Sequence, residues 1–185
     1  MDQGKVYTSK DYPQEFLRQL AGTPPSDYPC RPKIPLPQEK IRFGESYAEF
    51  MSWALNTSPI EDQLFISPTF HFEVSPFKAE REVRICMARL SEALRGKTGS
   101  KLRWISVIEK QRRGVYHPHI LVIGEGLGKL SRRKLKQRIT KQFDSKQVRV
   151  LPVKEGLAFY MAKKIPFGAE VSLGGYWPPN LRFEP

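Results

Sequence analysis

The order of hydrophobic patterns along this 185-residue chain predicts an α+β fold, with helices packed on one side of an antiparallel β-sheet. Two apolar stretches, residues 102–109 and 116–123, are separated by a short basic turn, which is typical of an antiparallel hairpin. Apolar residues recur every three or four positions over residues 75–96 and 131–143, which indicates helices. Two further strands and a last helix complete the order β-α-β-β-α-β-α.

Residues 1–60 are predicted to form a proline-rich extension outside this fold. Seven of the 16 prolines fall within residues 1–40, and proline at this density disfavours both helices and central strands. We therefore expect an extended arm over residues 1–40. A short helix over Ser46–Leu55 is expected to pack on the domain through Phe50, Trp53 and Leu55.

The main domain is predicted over residues 61–167. Its first strand, Leu64–Phe72, contains Pro68, which argues for an edge position or a bulge because proline cannot donate to a ladder. The next helix begins at Ser75-Pro76, a cap residue followed by the proline favoured in a first helical turn. Its inward face is marked by Val83, Met87, Leu90 and Leu94.

The second half of the domain follows from the same periodicities. Leu102, Trp104 and Ile108 alternate along the first hairpin strand and share one face. The elements that follow the hairpin are a basic helix over 131–143, a strand over 147–153 and a helix over 157–165. Residues 168–185 are expected to form an irregular C-terminal tail.

The charge of the chain suggests a polyanionic partner. Residues 1–60 carry seven basic and seven acidic side chains, so the net charge of +12 lies entirely in residues 61–185. Such an excess favours nucleic acid, although a basic surface also serves solubility. No apolar run approaches the ~20 residues of a membrane helix. Because two cysteines 56 positions apart cannot build a disulfide scaffold, we expect a cytoplasmic protein of a bacterial or archaeal host.

A histidine pair is the first candidate for chemistry. His117 and His119 lie two apart on a predicted strand, so both imidazoles project from the same face. The basic turn allows Glu109, on the preceding strand, to come alongside them. Two imidazoles and a carboxylate suit a divalent metal ion with open positions for phosphate oxygens. The alternative is a hydrogen-bonded pair without a metal.

Tyr160 is the second candidate. It precedes Lys163 by three and Lys164 by four, so at helical spacing at least one ammonium lies on the phenol's side of the helix. A cation at that position is expected to lower the cost of forming a phenolate and to neutralise a phosphate. The alternative is an ordinary amphipathic surface helix.

In this order the residues resemble the motifs of the HUH endonuclease superfamily, and within it the single-tyrosine rolling-circle replication initiators, or Rep nickases. Phe65–Phe70 loosely matches the first motif, and His117-Pro118-His119 matches the second, with Glu109 as its acidic metal ligand. Tyr160–Lys163 matches the third, a Tyr-x-x-Lys sequence on a late helix. The resemblance covers about residues 62–166 and implies the HUH fold, related to ferredoxin-like and RRM-like sheets.

The position of Pro118 leaves two ways to align the second motif. Some relatives read His-Pro-His-x-His and use the last two histidines, which would make His119 the first ligand and put Leu121 in place of the second. We favour His117 and His119, because they follow Glu109 by eight and ten residues as in relatives with a short basic turn.

The resemblance implies metal-dependent cleavage of single-stranded origin DNA. A bound Mg²⁺ or Mn²⁺ polarises the scissile phosphate, Tyr160 attacks it, and a 5′-phosphotyrosine and a free 3′-OH result. Lys163 steadies the developing charge. A DNA 3′-OH later attacks the tyrosine ester and rejoins strands, so that rolling-circle replication of a plasmid, phage or virus begins.

Further cations are expected to bind the DNA backbone. These are Lys164, Arg112, Arg113, Arg132, Arg133 and Lys136. Because the chain has no Walker-type phosphate loop, we expect no nucleotide cofactor, and unwinding and synthesis would need a host helicase and a DNA polymerase. The alternatives are a transposase or relaxase of the same superfamily, or a non-catalytic nucleic-acid-binding domain.

Overall fold

A computed structural model describes residues 38–98, 102–111 and 114–177 of the chain. The elements are α1 (Gln38–Asn56), β1 (Gln63–Phe70), α2 (Pro76–Thr98), β2 (Arg103–Lys110), β3 (Tyr116–Ile123), α3 (Arg132–Gln142), β4 (Ser145–Pro152), α4 (Leu157–Ala162) and β5 (Glu170–Gly175). The predicted α+β class is confirmed. None of the helices in these ranges is both long and apolar enough to cross a membrane.

The five strands form one antiparallel sheet in the order β4-β1-β3-β2-β5. The last strand corrects the expectation of an irregular tail, since Glu170–Gly175 pairs with Arg103–Ile108 along β2. Little in its short, glycine-ending sequence favours a strand, and pairing with the open side of β2 supplies what local propensity lacks. Gly175 is required there, because its φ is +89° and a Cβ would collide with the Leu102 carbonyl oxygen.

Helices cover both faces of the sheet, so the prediction that they pack on one side is wrong. On one face, α2 and α3 pack over Ile66, Trp104 and Ile120. On the other, α1 and α4 pack over Ile105 and Leu121. The reason is that β1, β2 and β3 are apolar at successive positions, and a strand that is buried on both sides needs two covering layers.

Helix α1 is longer than predicted and presents a different face to the sheet. It begins at Gln38, so the expected extended arm does not reach residue 40; residues 1–37 lie outside the described ranges. Its fully buried residues are the small or slender Ala48, Met51 and Ala54. The predicted anchors are only partly buried against the same cluster; they are Phe50, Trp53 and Leu55. Through this face α1 contacts α4.

Strand β1 lies inside the sheet, between β4 and β3, so Pro68 does not mark an edge strand. Its pairing with β3 covers only Gln63–Ile66, opposite Ile120–Ile123, whereas its pairing with β4 continues to a register shift after Thr69. Extending the β1–β3 register would place Pro68 opposite Pro118. Since neither proline has an N–H, this end of the β1–β3 boundary is left without a backbone ladder.

Candidate functional site

Polar side chains from three neighbouring strands meet on the face of the sheet that α1 and α4 cover. Glu109 of β2 pairs directly with His117 of β3, and His119 pairs with Val107. Because side chains alternate along a strand, Glu109, His117 and His119 share the face that carries Ile105 and Leu121. The sequence-predicted metal ligands are therefore brought together at one end of the sheet.

Glu109 is held between an imidazole and an ammonium. Its Oε1 lies 3.5 Å from His119 Nε2, and its Oε2 lies 3.6 Å from Lys164 Nζ. Burial by itself would raise the pKa of this carboxyl, but the contact with His119 and the charge of Lys164 outweigh burial and leave the pKa lowered. Glu109 is thus an anion at neutral pH. Its buried Oε2 accepts no hydrogen bond from the described residues, so it has acceptor capacity left.

His117 is hydrogen-bonded through both ring nitrogens. Its Nε2 lies 2.8 Å from Ser67 Oγ, and its Nδ1 lies 2.9 Å from Thr69 Oγ1. The ring stands edge-on to His119, with centroids 4.6 Å apart. Within the described ranges, no three His, Cys, Asp or Glu side chains are arranged to hold a metal ion. The three predicted ligands are neighbours, but His117 is turned towards hydroxyl groups.

Tyr160 projects from the middle of α4 towards this cluster. Its helix buries Ala158, Phe159, Met161 and Ala162 on both sides of it, whereas the tyrosine is 41% exposed. The phenol ring stands edge-on to His119, at a centroid distance of 5.3 Å, and to Phe65, at 6.3 Å. The predicted nucleophile and the predicted metal ligands therefore lie side by side, with the tyrosine open to solvent.

The electrostatic environment of Tyr160 differs from the expectation. The Lys163 ammonium lies over the phenol ring, 4.2 Å from its centroid, and not beside the hydroxyl. Burial and the negative charge of Glu109 raise the pKa of Tyr160, against an opposing effect of Arg149. The pKa is therefore raised and not lowered as the Tyr-x-x-Lys spacing suggested, and the phenol is protonated at neutral pH.

The two lysines after α4 form a cationic end to the site. Lys163 caps the C-terminus of the helix and Lys164 follows it. Burial lowers the pKa of Lys163, and the neighbouring charge of Lys164 lowers it further, with Glu109 opposing both. Two ammonium groups beside a phenol and a carboxylate can receive a phosphate group.

The other predicted DNA-binding residues lie away from this cluster. Helix α3 packs through Leu135 and Ile139 on the opposite face of the sheet. Its cations are exposed there; they include Arg132, Arg133 and Lys136. Arg112 and Arg113 fall outside the described ranges. Of the cations predicted to bind DNA, Lys164 is the one that the fold places at Glu109.

Sequence reasoning assigned no role to Ser67, Thr69 and Arg149. Ser67 is 3% exposed and also approaches His119, with its Oγ 3.4 Å from Nδ1. Arg149 of β4 pairs with Ser67, which places it on the same face. The available pattern was the spacing of two between Ser67 and Thr69, which matches the spacing of the histidines. Alternation shows that such residues share a face, but it does not show which neighbouring strand they meet.

Comparison with known proteins gives one family. A family model described as a replication-associated protein of the ORF2 type matches residues 63–166, more than half of the chain. The matched segment runs from β1 to the turn after α4 and contains every residue of the cluster, while α1 and β5 lie outside it. No curated protein and no solved structure matches significantly.

Proposed function

Because the chain belongs to this family of replication-associated proteins, whose description points to a role in replication initiation, we propose that it nicks and rejoins single-stranded DNA at an origin. The observation that carries this proposal is the position of Tyr160. Its partly exposed phenol contacts His119 and is followed by Lys163 and Lys164, next to the anionic Glu109. A nucleophile, cations for a phosphate and a polar cluster thus occupy one surface.

The proposed reaction is a transesterification at phosphorus. The Tyr160 oxygen forms a bond to the scissile phosphorus as the bond from phosphorus to the DNA 3′ oxygen breaks. The phenol loses its proton to solvent, and the 3′ oxygen takes one up. In the return step a DNA 3′-OH attacks the phosphotyrosine, which re-forms the diester and releases the tyrosine. Because the ester stores the bond energy, joining needs no nucleotide cofactor.

The raised pKa of Tyr160 sets what the surroundings must do. A phenol that is protonated at neutral pH has to lose its proton as it attacks, and cations near the phosphate favour that charge movement. Lys163 and Lys164 supply two such charges, and Arg149, whose charge lowers the pKa of the phenol, supplies a third. These residues would hold the phosphate in line with the phenol oxygen.

A divalent ion, Mg²⁺ or Mn²⁺, is part of the proposal. The donor chemistry fits, because a carboxylate with an unused buried oxygen adjoins the imidazole of His119, and a second imidazole lies next to it. Glu109, His117 and His119 would hold the ion. When bound, it would polarise the scissile phosphate as a Lewis acid.

A second DNA-binding surface is proposed on α3. Its exposed cations face away from Tyr160, so they would contact DNA that flanks the cleaved strand. Such contacts are independent of sequence and weaken as salt is added. Under this proposal a host helicase unwinds the duplex and a DNA polymerase extends the 3′-OH.

The test is a nicking assay with the full chain. The probes are end-labelled single-stranded oligonucleotides that tile both strands of the replicon encoding it, with Mn²⁺ or with EDTA. Tyr160→Phe removes the nucleophilic oxygen, and Tyr176→Phe is the matched control, because Tyr176 is equally exposed, at 42%, after the last strand. We expect a Mn²⁺-dependent cut with protein attached to the 5′ end in the wild type and the control, and none in Tyr160→Phe.

Two results would contradict the proposal. A covalent adduct in Tyr160→Phe would mean that another residue is the nucleophile. Salt-sensitive DNA binding without any cut or adduct would favour the non-catalytic nucleic-acid-binding alternative.

A further inference from the structure

The boundary between β1 and β3 is closed by side chains where its backbone pairing ends. The β1–β3 ladder stops at Ile66 and Ile120, before the opposed Pro68 and Pro118. Past that point Ser67 and Thr69 reach across to the imidazole of His117. The orientation of His117 is therefore set by two hydroxyl groups of β1 instead of by a continuous ladder.

The two hydroxyls contact opposite edges of the His117 ring. Thr69 is at Nδ1, near the end of β1, and Ser67 is at Nε2. Ser67 also approaches His119, so Nε2 is the nitrogen of His117 that faces His119 and, beyond it, Glu109. In a neutral imidazole one nitrogen is a donor and the other an acceptor. The two hydroxyls must therefore play different parts.

We propose that Thr69 and Ser67 are positioning residues that affect metal binding in opposite directions. Thr69 accepts a hydrogen bond from Nδ1–H of His117, which keeps the lone pair on Nε2, the nitrogen that faces the other two ligands. Ser67 donates its O–H to that same lone pair and occupies it until a metal ion takes its place. This inference rests on the proposed metal centre, and it explains why three neighbouring ligands are not arranged as a ready site among the described residues.

The physical reason for opposite effects is the identity of the blocked nitrogen. Metal-bound histidines commonly donate their other N–H to an acceptor, and loss of that acceptor typically costs roughly 10- to 100-fold in affinity. A hydroxyl on the coordinating nitrogen instead competes with the metal, so its loss removes a competitor. Thr69→Val should therefore weaken metal binding about tenfold. Ser67→Ala should tighten it about fivefold, the equilibrium value of one ordinary hydrogen bond.

The experiment measures Mn²⁺ affinity without DNA, from the loss of the free-ion electron paramagnetic resonance signal when the full chain is titrated. The variants are Ser67→Ala, Thr69→Val and Thr69→Ser, which retains the hydroxyl and should restore wild-type affinity. Ser106→Ala is the matched control, because Ser106 is a buried strand serine on the opposite face of β2, and its affinity should equal that of the wild type. His119→Ala should abolish binding.

A second readout reports the histidine ring directly. Because the chain has three histidines, ¹⁵N spectra of the imidazoles can be resolved, and His71→Gln assigns the exposed one. In the metal-free wild type we expect the proton of His117 on Nδ1. In Thr69→Val that preference should be lost, while circular dichroism should show an unchanged fold.

The outcomes separate this inference from the proposed function. Equal affinities, shifts in the same direction for Ser67→Ala and Thr69→Val, or a proton on Nε2 of His117 in the wild type would overturn it. A wild type that binds no Mn²⁺ would overturn both this inference and the metal centre. If the affinities shift as expected but no oligonucleotide is cut, the nicking proposal fails and this inference stands.

Discussion

Replacement of Met51 by alanine tests whether α1, which lies outside the family-matched segment, is part of the folded domain. Met51 is fully buried in the cluster that joins α1, α4 and the sheet. The change removes three heavy atoms, worth about 0.8 kcal/mol each when buried, or about 2.4 kcal/mol of transfer free energy. The cavity adds to this, so we expect a loss of about 3 kcal/mol in the free energy of unfolding.

Urea denaturation followed by circular dichroism measures this loss. With an m-value of about 2 kcal/mol/M, the midpoint should fall by about 1.5 M. Ser46→Ala is the control, because Ser46 is exposed on the same helix and its change should stay within about 0.5 kcal/mol. A midpoint for Met51→Ala within about 0.3 M of the wild type would show that α1 does not pack as described and that α4 does not depend on it.

Two other predictions concern buried polar groups. Ser106 is fully buried and its hydroxyl has no partner among the described residues, so Ser106→Ala should raise the free energy of unfolding by about 1 kcal/mol; a lower urea midpoint would contradict this. Burial raises the pKa of the Cys86 thiol to about 12. In a Cys30→Ser variant at about pH 8, Cys86 should react with a disulfide reagent only as fast as the protein opens, and immediate labelling would refute its burial. Because the folded pKa is the higher one, this thiol contributes stability below the unfolded value of about 8.5, and the contribution is lost as the pH rises towards 12.

Most of the candidate site could be predicted because its geometry is local. The spacing of two between His117 and His119 places both on one face of a strand, and the short turn places Glu109 opposite His117. Tyr160 and Lys163 are three apart on a helix, and the ammonium does lie over the ring. These relations depend on the repeat of a strand or a helix, and that repeat can be read from the sequence.

Other features could not be predicted because they depend on partners distant in the chain. The sequence of β5 carries too little strand propensity to identify it, and its pairing with β2 makes it a strand. The partners of Ser67 and Thr69 lie about 50 residues away. The pKa of Tyr160 was expected to fall because of an adjacent lysine, yet burial and Glu109 raise it.

Local patterns in the chain thus specify the α+β class, the hairpin and the face on which the candidate ligands lie, because backbone geometry sets the periods of strands and helices. Long-range packing sets the rest: both faces of the sheet are covered, α1 supports the tyrosine helix, and hydroxyl groups hold His117. Burial and long-range pairing depend on which elements meet, and the free energies of those meetings do not follow from local periodicity.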